Sequence, residues 1–190
     1  MEKPLSTLPL LAQRAFAAAL AQRMLPNFLL FAEITDQPEA GLAVKSALDT
    51  VWEKLLNPKA KISFEKQQLK LAELEPEPEQ YDFFGAYPAL DSYLAVMTIL
   101  AAMQDKDEQP ALDISRLSRG SVQFFLNTQA EQALDYAQLD QLELWQQERD
   151  FQDALLAAVS EPLTPEQLKA VQQLGRNEGV SNLGIALDDA

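Results

Sequence analysis

Proline placement constrains this chain more than any other feature. Proline locks φ and lacks an N–H, so it opens or interrupts helices and has no place in a central strand. The 190 residues include 11 prolines and only six glycines. Alanine, leucine and glutamine abound between the prolines, and these are helix formers. Most of the prolines read as helix starts or inter-helix loops. The expectation is an all-α fold, a single-domain bundle of about eight helices spanning residues 1–190.

Caps and periodicity place the segments. Thr7 as N-cap and Pro9 in the first turn predict a helix over residues 8–23, with Leu8, Leu11, Ala15, Ala18 and Ala19 on one face. Pro26 is expected to break or kink it, with a short helix resuming over 27–35. Pro38 opens a third helix to about Leu56, carrying the stripe Val44, Leu48, Val51, Trp52 and Leu55. Ser63 caps a fourth, to about Leu74. Residues 75–80, Glu-Pro-Glu-Pro-Glu-Gln, cannot be helical and are the candidate for an internal hinge. The loop 81–87 holds four aromatics and is expected to pack on the body. A very apolar helix follows over 88–103, another over 110–128 and a long one over 140–160, with a start as early as Ala130 left open. Residues 122–125 also read as a short strand, but no partner strand is available. The last helix starts at the capping box Thr164-Pro165-Glu166-Gln167 and ends near Gly175 or Gly179, both read as C-capping glycines.

Two residue types are missing altogether, cysteine and histidine. Without cysteine there are no disulfides, thiolate zinc sites, iron–sulfur clusters or thiol nucleophiles. Without histidine there is no Ser-His-Asp or Cys-His machinery, no His-ligated zinc and no ferritin-like di-iron site. Catalysis near neutral pH would fall to carboxylates, Lys, Tyr or a hydrated metal ion. No basic n-region precedes an apolar stretch at the start, and apolar runs such as 15–21 are too short to span a bilayer. A cytoplasmic protein without membrane association is therefore expected.

The net charge of −14 is unevenly placed. Residues 1–70 hold 9 basic and 7 acidic groups, whereas residues 71–190 hold 6 basic and 22 acidic. A balance of −16 over the longer part repels nucleic-acid phosphates and anionic membrane surfaces. It attracts a basic protein partner or divalent cations.

Several acids are candidates for chemistry. Asp49 with Glu53, Glu131 with Asp135, and Glu148 with Asp150 and Asp153 lie close along helices. Carboxylate sites hold Mg²⁺ or Mn²⁺ when acids converge from at least two helices. Glu148 stands out because it lies on the stripe Leu144, Glu148, Phe151, Leu155, Val159. A carboxylate on an apolar face needs a partner, such as an arginine from another helix, or a function. Asp91 falls in the first turn of the helix opened by Pro88, where it complements the helix dipole. With Asp82 it brackets the aromatic loop, and the two could frame a small pocket. Neither a P-loop nor a dinucleotide fingerprint can be written on this sequence.

Four stretches carry a family resemblance. They are Gln22-Arg23-Met24-Leu25-Pro26-Asn27-Phe28 and Asp49-Thr50-Val51-Trp52-Glu53-Lys54-Leu55, then Tyr81-Asp82-Phe83-Phe84-Gly85-Ala86-Tyr87-Pro88-Ala89-Leu90-Asp91 and Gly179-Val180-Ser181-Asn182-Leu183-Gly184-Ile185. In order and spacing they resemble the YjaG-like family of bacterial proteins (domain of unknown function 416). The resemblance runs over nearly the whole chain, rests chiefly on the third and fourth stretches and is loose over about 104–140. It implies an all-helical cytoplasmic protein of proteobacterial type and carries over no catalytic residues. It marks Asp82, Gly85, Tyr87, Pro88, Asp91, Ser181, Asn182 and Gly184 as positions outside simple core periodicity. Loop residues of that kind serve function or loop shape.

The reading that fits best is a non-catalytic interaction or regulatory protein with an acidic surface, no cofactor and a basic protein partner. The alternative is a Mg²⁺- or Mn²⁺-dependent helical hydrolase of phosphorylated small molecules. A third reading is a homo-oligomeric scaffold with Tyr81, Phe83, Phe84 and Tyr87 as its interface core.

Overall fold

A computed structural model describes residues 2–105 and 109–187. Among these residues are nine α-helices: α1 Glu2–Thr7, α2 Leu10–Ile34, α3 Pro38–Leu56, α4 Phe64–Leu71, α5 Ala86–Ala102, α6 Pro110–Gln129, α7 Tyr136–Leu139, α8 Glu143–Ser160 and α9 Pro165–Arg176. Short 3₁₀ turns lie at Ala72–Leu74, Pro78–Gln80 and Asn177–Gly179. A single antiparallel bridge joins Val180 to Ala186.

Helix α2 is the axis of the bundle, with α3, α5, α6, α8 and α9 packed around it. Its fully buried alanines at 15, 17, 18, 19 and 21 let neighbours approach on every side. A helix that is apolar all round belongs inside a protein or a membrane. By length and composition α2 could cross a bilayer, but 83% of its most apolar 18-residue window is already buried within the protein. The apolar runs read from the sequence were shorter than this helix because Gln22 and Arg23 interrupt them.

The expected break at Pro26 does not occur. Helix α2 continues through it for 25 residues. Proline removes one ladder bond, here the one owed to the Gln22 carbonyl, at a cost on the order of 3 kcal/mol. Leu25, Pro26 and Phe28 are buried in the bundle, and such packing, more than propensity, holds helices in proteins. The predicted cap at Thr7 is also displaced. Thr7 closes α1 by donating to the Pro4 carbonyl, and Pro9 precedes α2 without a side-chain cap.

Gly175 does not cap α9. A Cβ built there would stand 2.8 Å from the Ala19 Cα, so the missing side chain is what lets α9 close on α2. The left-handed C-cap is Asn177, with φ of 45°. Thr164 does cap α9, accepting the Gln167 N–H, but the reciprocal capping box is at Asp135 and Gln138, ahead of α7. Residues 122–125 are helical, within α6. In the 75–80 segment Pro76 is buried and the Pro78–Gln80 turn packs on α5. One hydrophobic cluster takes in Leu71 and Leu74 before this segment and Tyr81 and Phe83 after it.

Candidate functional site

Helix α6 organises the polar interior. Ser115, Ser118 and Ser121 are all buried on it. Each three-residue step on a helix turns back by about 60°, so this row winds from the α8 side toward the α5 side. Ser115 Oγ donates to Gln152 Oε1 at 2.6 Å, and Ser118 Oγ donates to Glu148 Oε1 at 2.6 Å. Gln152 Nε2 donates to the same Glu148 oxygen at 2.6 Å. The other oxygen, Oε2, takes Arg23 Nη1 of α2 at 2.6 Å. Arg23 also lies over the Phe151 ring, 4.0 Å from its centroid.

Glu148 is 0% exposed and Arg23 5%. Burial pushes the Glu148 carboxyl up from its ordinary value, against the pull of Arg23, Ser118, Gln152 and Arg119. Burial likewise lowers Arg23, against the pull of Glu148. Arginine keeps its proton inside proteins, so the pair stands as an ion pair with hydrogen bonds on both carboxylate oxygens. Breaking such a pair is costly because it leaves a charge uncompensated.

The seam continues into the chain's last described turn. Asn182 Nδ2 donates to Ser118 Oγ at 3.2 Å, and Asn182 Oδ1 accepts from Asn27 Nδ2 at 2.9 Å. Ser181 Oγ accepts the N–H groups of Leu183 and Ile185, each at 3.1 Å. Gly184 supplies the left-handed φ of 77° that this turn needs. Ser181 and Asn182 are therefore a clamp for the terminal loop. The stretches 22–28 and 179–185 meet at the Asn27–Asn182 bond.

The aromatic stretch builds a different place. Tyr81 and Phe83 turn inward against Phe31, at ring-centroid distances of 5.0 and 6.1 Å. Phe84 packs on Phe124 and Phe125 at 5.5 and 5.6 Å. All four rings read as an interface core thus pack against other rings of the chain, with Tyr87 the most exposed of them. Gly85 precedes α5, where a Cβ would touch the Phe83 ring at 3.2 Å, and Pro88 is buried in the first turn.

What stays open is a groove of about 480 Å³ between α5 and α6, lined by Tyr87, Leu90, Asp91, Leu117, Ser121 and Phe124 among others. Tyr87 is 43% exposed and Phe124 44%, with ring centroids 5.3 Å apart, edge to face. Asp91 is the sixth residue of α5, past the first turn, so it does not complement the helix dipole there. Burial pushes its carboxyl up, and the hydroxyl of Ser121 that faces it pulls the other way. Asp82 is exposed and lines no part of this groove, so the two acids do not frame a pocket together.

Among the described residues no three acids converge to hold a metal ion. Glu148 faces the interior while Asp150 and Asp153 face out from α8. Nor do Glu148 and the 82–91 stretch share a concave site: one meets Ser118, the other Ser121. Sequence reasoning missed the serine row. Its signal was the spacing Ser-x-x-Ser-x-x-Ser between the buried Ile114 and Val122.

Comparison with known proteins agrees with the fold. Residues 1–186 match the family described as "Protein of unknown function (DUF416)". An uncharacterised protein of Haemophilus influenzae is 35% identical over 173 residues, which is 90% of this chain and 88% of the relative. The uncharacterised protein YjaG of Escherichia coli is 30% identical over the same shares of each chain. The crystal structure of a DUF416 family protein from Shewanella baltica superposes with a TM-score of 0.91 at 33% identity, covering 98% of each chain. The chain therefore belongs to DUF416, the family of unknown function to which its four YjaG-like stretches pointed.

Proposed function

We propose that this protein is a non-catalytic, cytoplasmic docking protein whose α5–α6 groove receives an apolar anchor from a basic protein partner. The observation that carries this reading is the pair Tyr87 and Phe124, two large rings left exposed side by side in a groove. Exposed aromatics in a groove are the residue type around which binding energy concentrates. Asp91 and Asp113 flank them, while Arg116, the one cation among the described lining residues, has an interaction of its own. Both helices lie in the part of the chain with a balance of −16. Such a field attracts a basic surface and raises the rate of encounter.

The test is a binding assay against captured partners at low and high salt, with wild type and with Tyr87→Ala and Phe124→Ala. Binding should weaken steeply with salt, and each substitution should weaken it by at least about tenfold. Both side chains also pack on Phe84, so thermal unfolding of each variant is followed and binding is compared where all are folded. Partners that hold equally well at high salt and on both variants would exclude this reading.

A further inference from the structure

We infer that the cleft between α2, α3 and α9 is a binding site for a small zwitterion, an α-amino acid with an apolar side chain. The cleft has a volume of about 420 Å³, inside the range of about 300–1,000 Å³ that small-molecule sites occupy. Its floor is apolar and comes from α2: Leu25, Pro26 and Leu29. Its walls carry two cations, Lys45 and Arg176, and two carboxylates, Asp49 and Glu178. Among the described residues none of these four side chains has an ion-pair or hydrogen-bond partner. Opposite charges on the walls of one cleft are available to a ligand that carries both signs. Equal numbers of each sign suit a ligand that has no net charge and separated charges of its own.

Pro26 adds directionality. It has no N–H to give the Gln22 carbonyl four residues earlier, and Gln22 lines the same cleft. The Gln22 carbonyl thus lacks the donor that an ordinary helix would give it. A ligand ammonium has three N–H donors and suits the Asp49 carboxylate on the cleft wall. A ligand carboxylate suits the fork of Arg176, which binds carboxylates through paired N–H groups, with Lys45 one helical turn from Asp49 adding a point charge. At the rim, Asn177 and Glu178 hold φ of 45° and 54°. A left-handed glutamate costs on the order of 1–3 kcal/mol, and such residues gather at ligand sites. The ligand's side chain would rest on Leu25 and Leu29, which sets the preference for an apolar one.

This site is independent of the docking groove, so either can fail alone. The test is isothermal titration of the full chain with L-leucine, with isopentylamine, which lacks the carboxylate, and with 4-methylpentanoate, which lacks the ammonium. Leucine should bind saturably, and each truncated compound should bind at least about tenfold more weakly. Arg176→Gln and Asp49→Asn should each weaken leucine by a similar factor. Both positions are exposed, and thermal unfolding checks that the variants remain folded. No leucine binding at millimolar concentration overturns the inference. So does binding as tight by either truncated compound, or binding unchanged in both variants.

Discussion

Glu148 and Asp91 are two carboxylates that face the same row of serines on α6, yet they live differently. Glu148 is sealed, bonded on both oxygens and paired with Arg23. Asp91 is half-buried in an open groove, faces Ser121 and has no ion-pair partner among the described residues. Burial raises both carboxyls, so the direction of the shift is not what separates them. Compensation is. A compensated charge ties three helices together and is used up by the fold. An uncompensated one at a surface groove is left for whatever binds there.

The largest expected effect comes from uncompensating Glu148. Arg23→Met should cost about 3–5 kcal/mol in urea unfolding, the usual result of stranding one partner of a buried pair. The acid then loses the neighbour that most lowers its pKa, so its folded-state value rises further. The deficit should therefore shrink as pH falls and Glu148 takes up a proton. Arg23→Met with Glu148→Leu should recover part of the loss, since no buried charge remains. A single substitution costing under about 1 kcal/mol would remove the distinction between the two acids.

A smaller effect separates the serines. Ser118→Ala takes one of Glu148's donors and one of Asn182's partners out of a closed interior, and should cost about 1–3 kcal/mol. Ser121→Ala frees Asp91 toward a groove that water reaches, and should cost under about 1 kcal/mol. Unfolding the two variants side by side measures the difference directly. Equal losses would mean that Asp91 is as closed in as Glu148.

Much of this was legible in the residues, for physical reasons that differ by place. Pro38, Pro110 and Pro165 each stand at the first position of a helix, because a missing N–H costs nothing there. Glu148 could be read as an inward acid because Leu144, Phe151 and Leu155 fix the face of α8 on which it lies. Its partner could not, since Arg23 lies 125 residues away and no local pattern spans that distance. Pro26 misled because its penalty is local while the packing that offsets it is tertiary. Gly175 misled for the same reason: a glycine near a helix end fits a cap, and only the Ala19 backbone opposite reveals the close approach. The serines stayed hidden because serine is ordinarily a surface or capping residue.

The smallest effect concerns Asp91 and ties the comparison to function. Its folded-state pKa is raised above the ordinary 3.8. Below that ordinary value folded and unfolded chains are both protonated, and the group's contribution to stability is fully present. As pH rises through the raised folded value the unfolded chain has already released its proton, and that contribution is lost. Asp91→Asn carries no such proton, so its melting temperature should match wild type in acid and exceed it at neutral pH. A basic partner in the groove would act in the opposite sense, by supplying the cation that Asp91 lacks and lowering its pKa. At a pH near its raised folded-state value, docking should then release a proton, visible in calorimetry as a binding heat that varies with the ionisation enthalpy of the buffer. Asp91→Asn should abolish that variation. A partner that binds the groove at that pH with no proton release would place its charge away from Asp91, and would make this acid as much a part of the scaffold as Glu148.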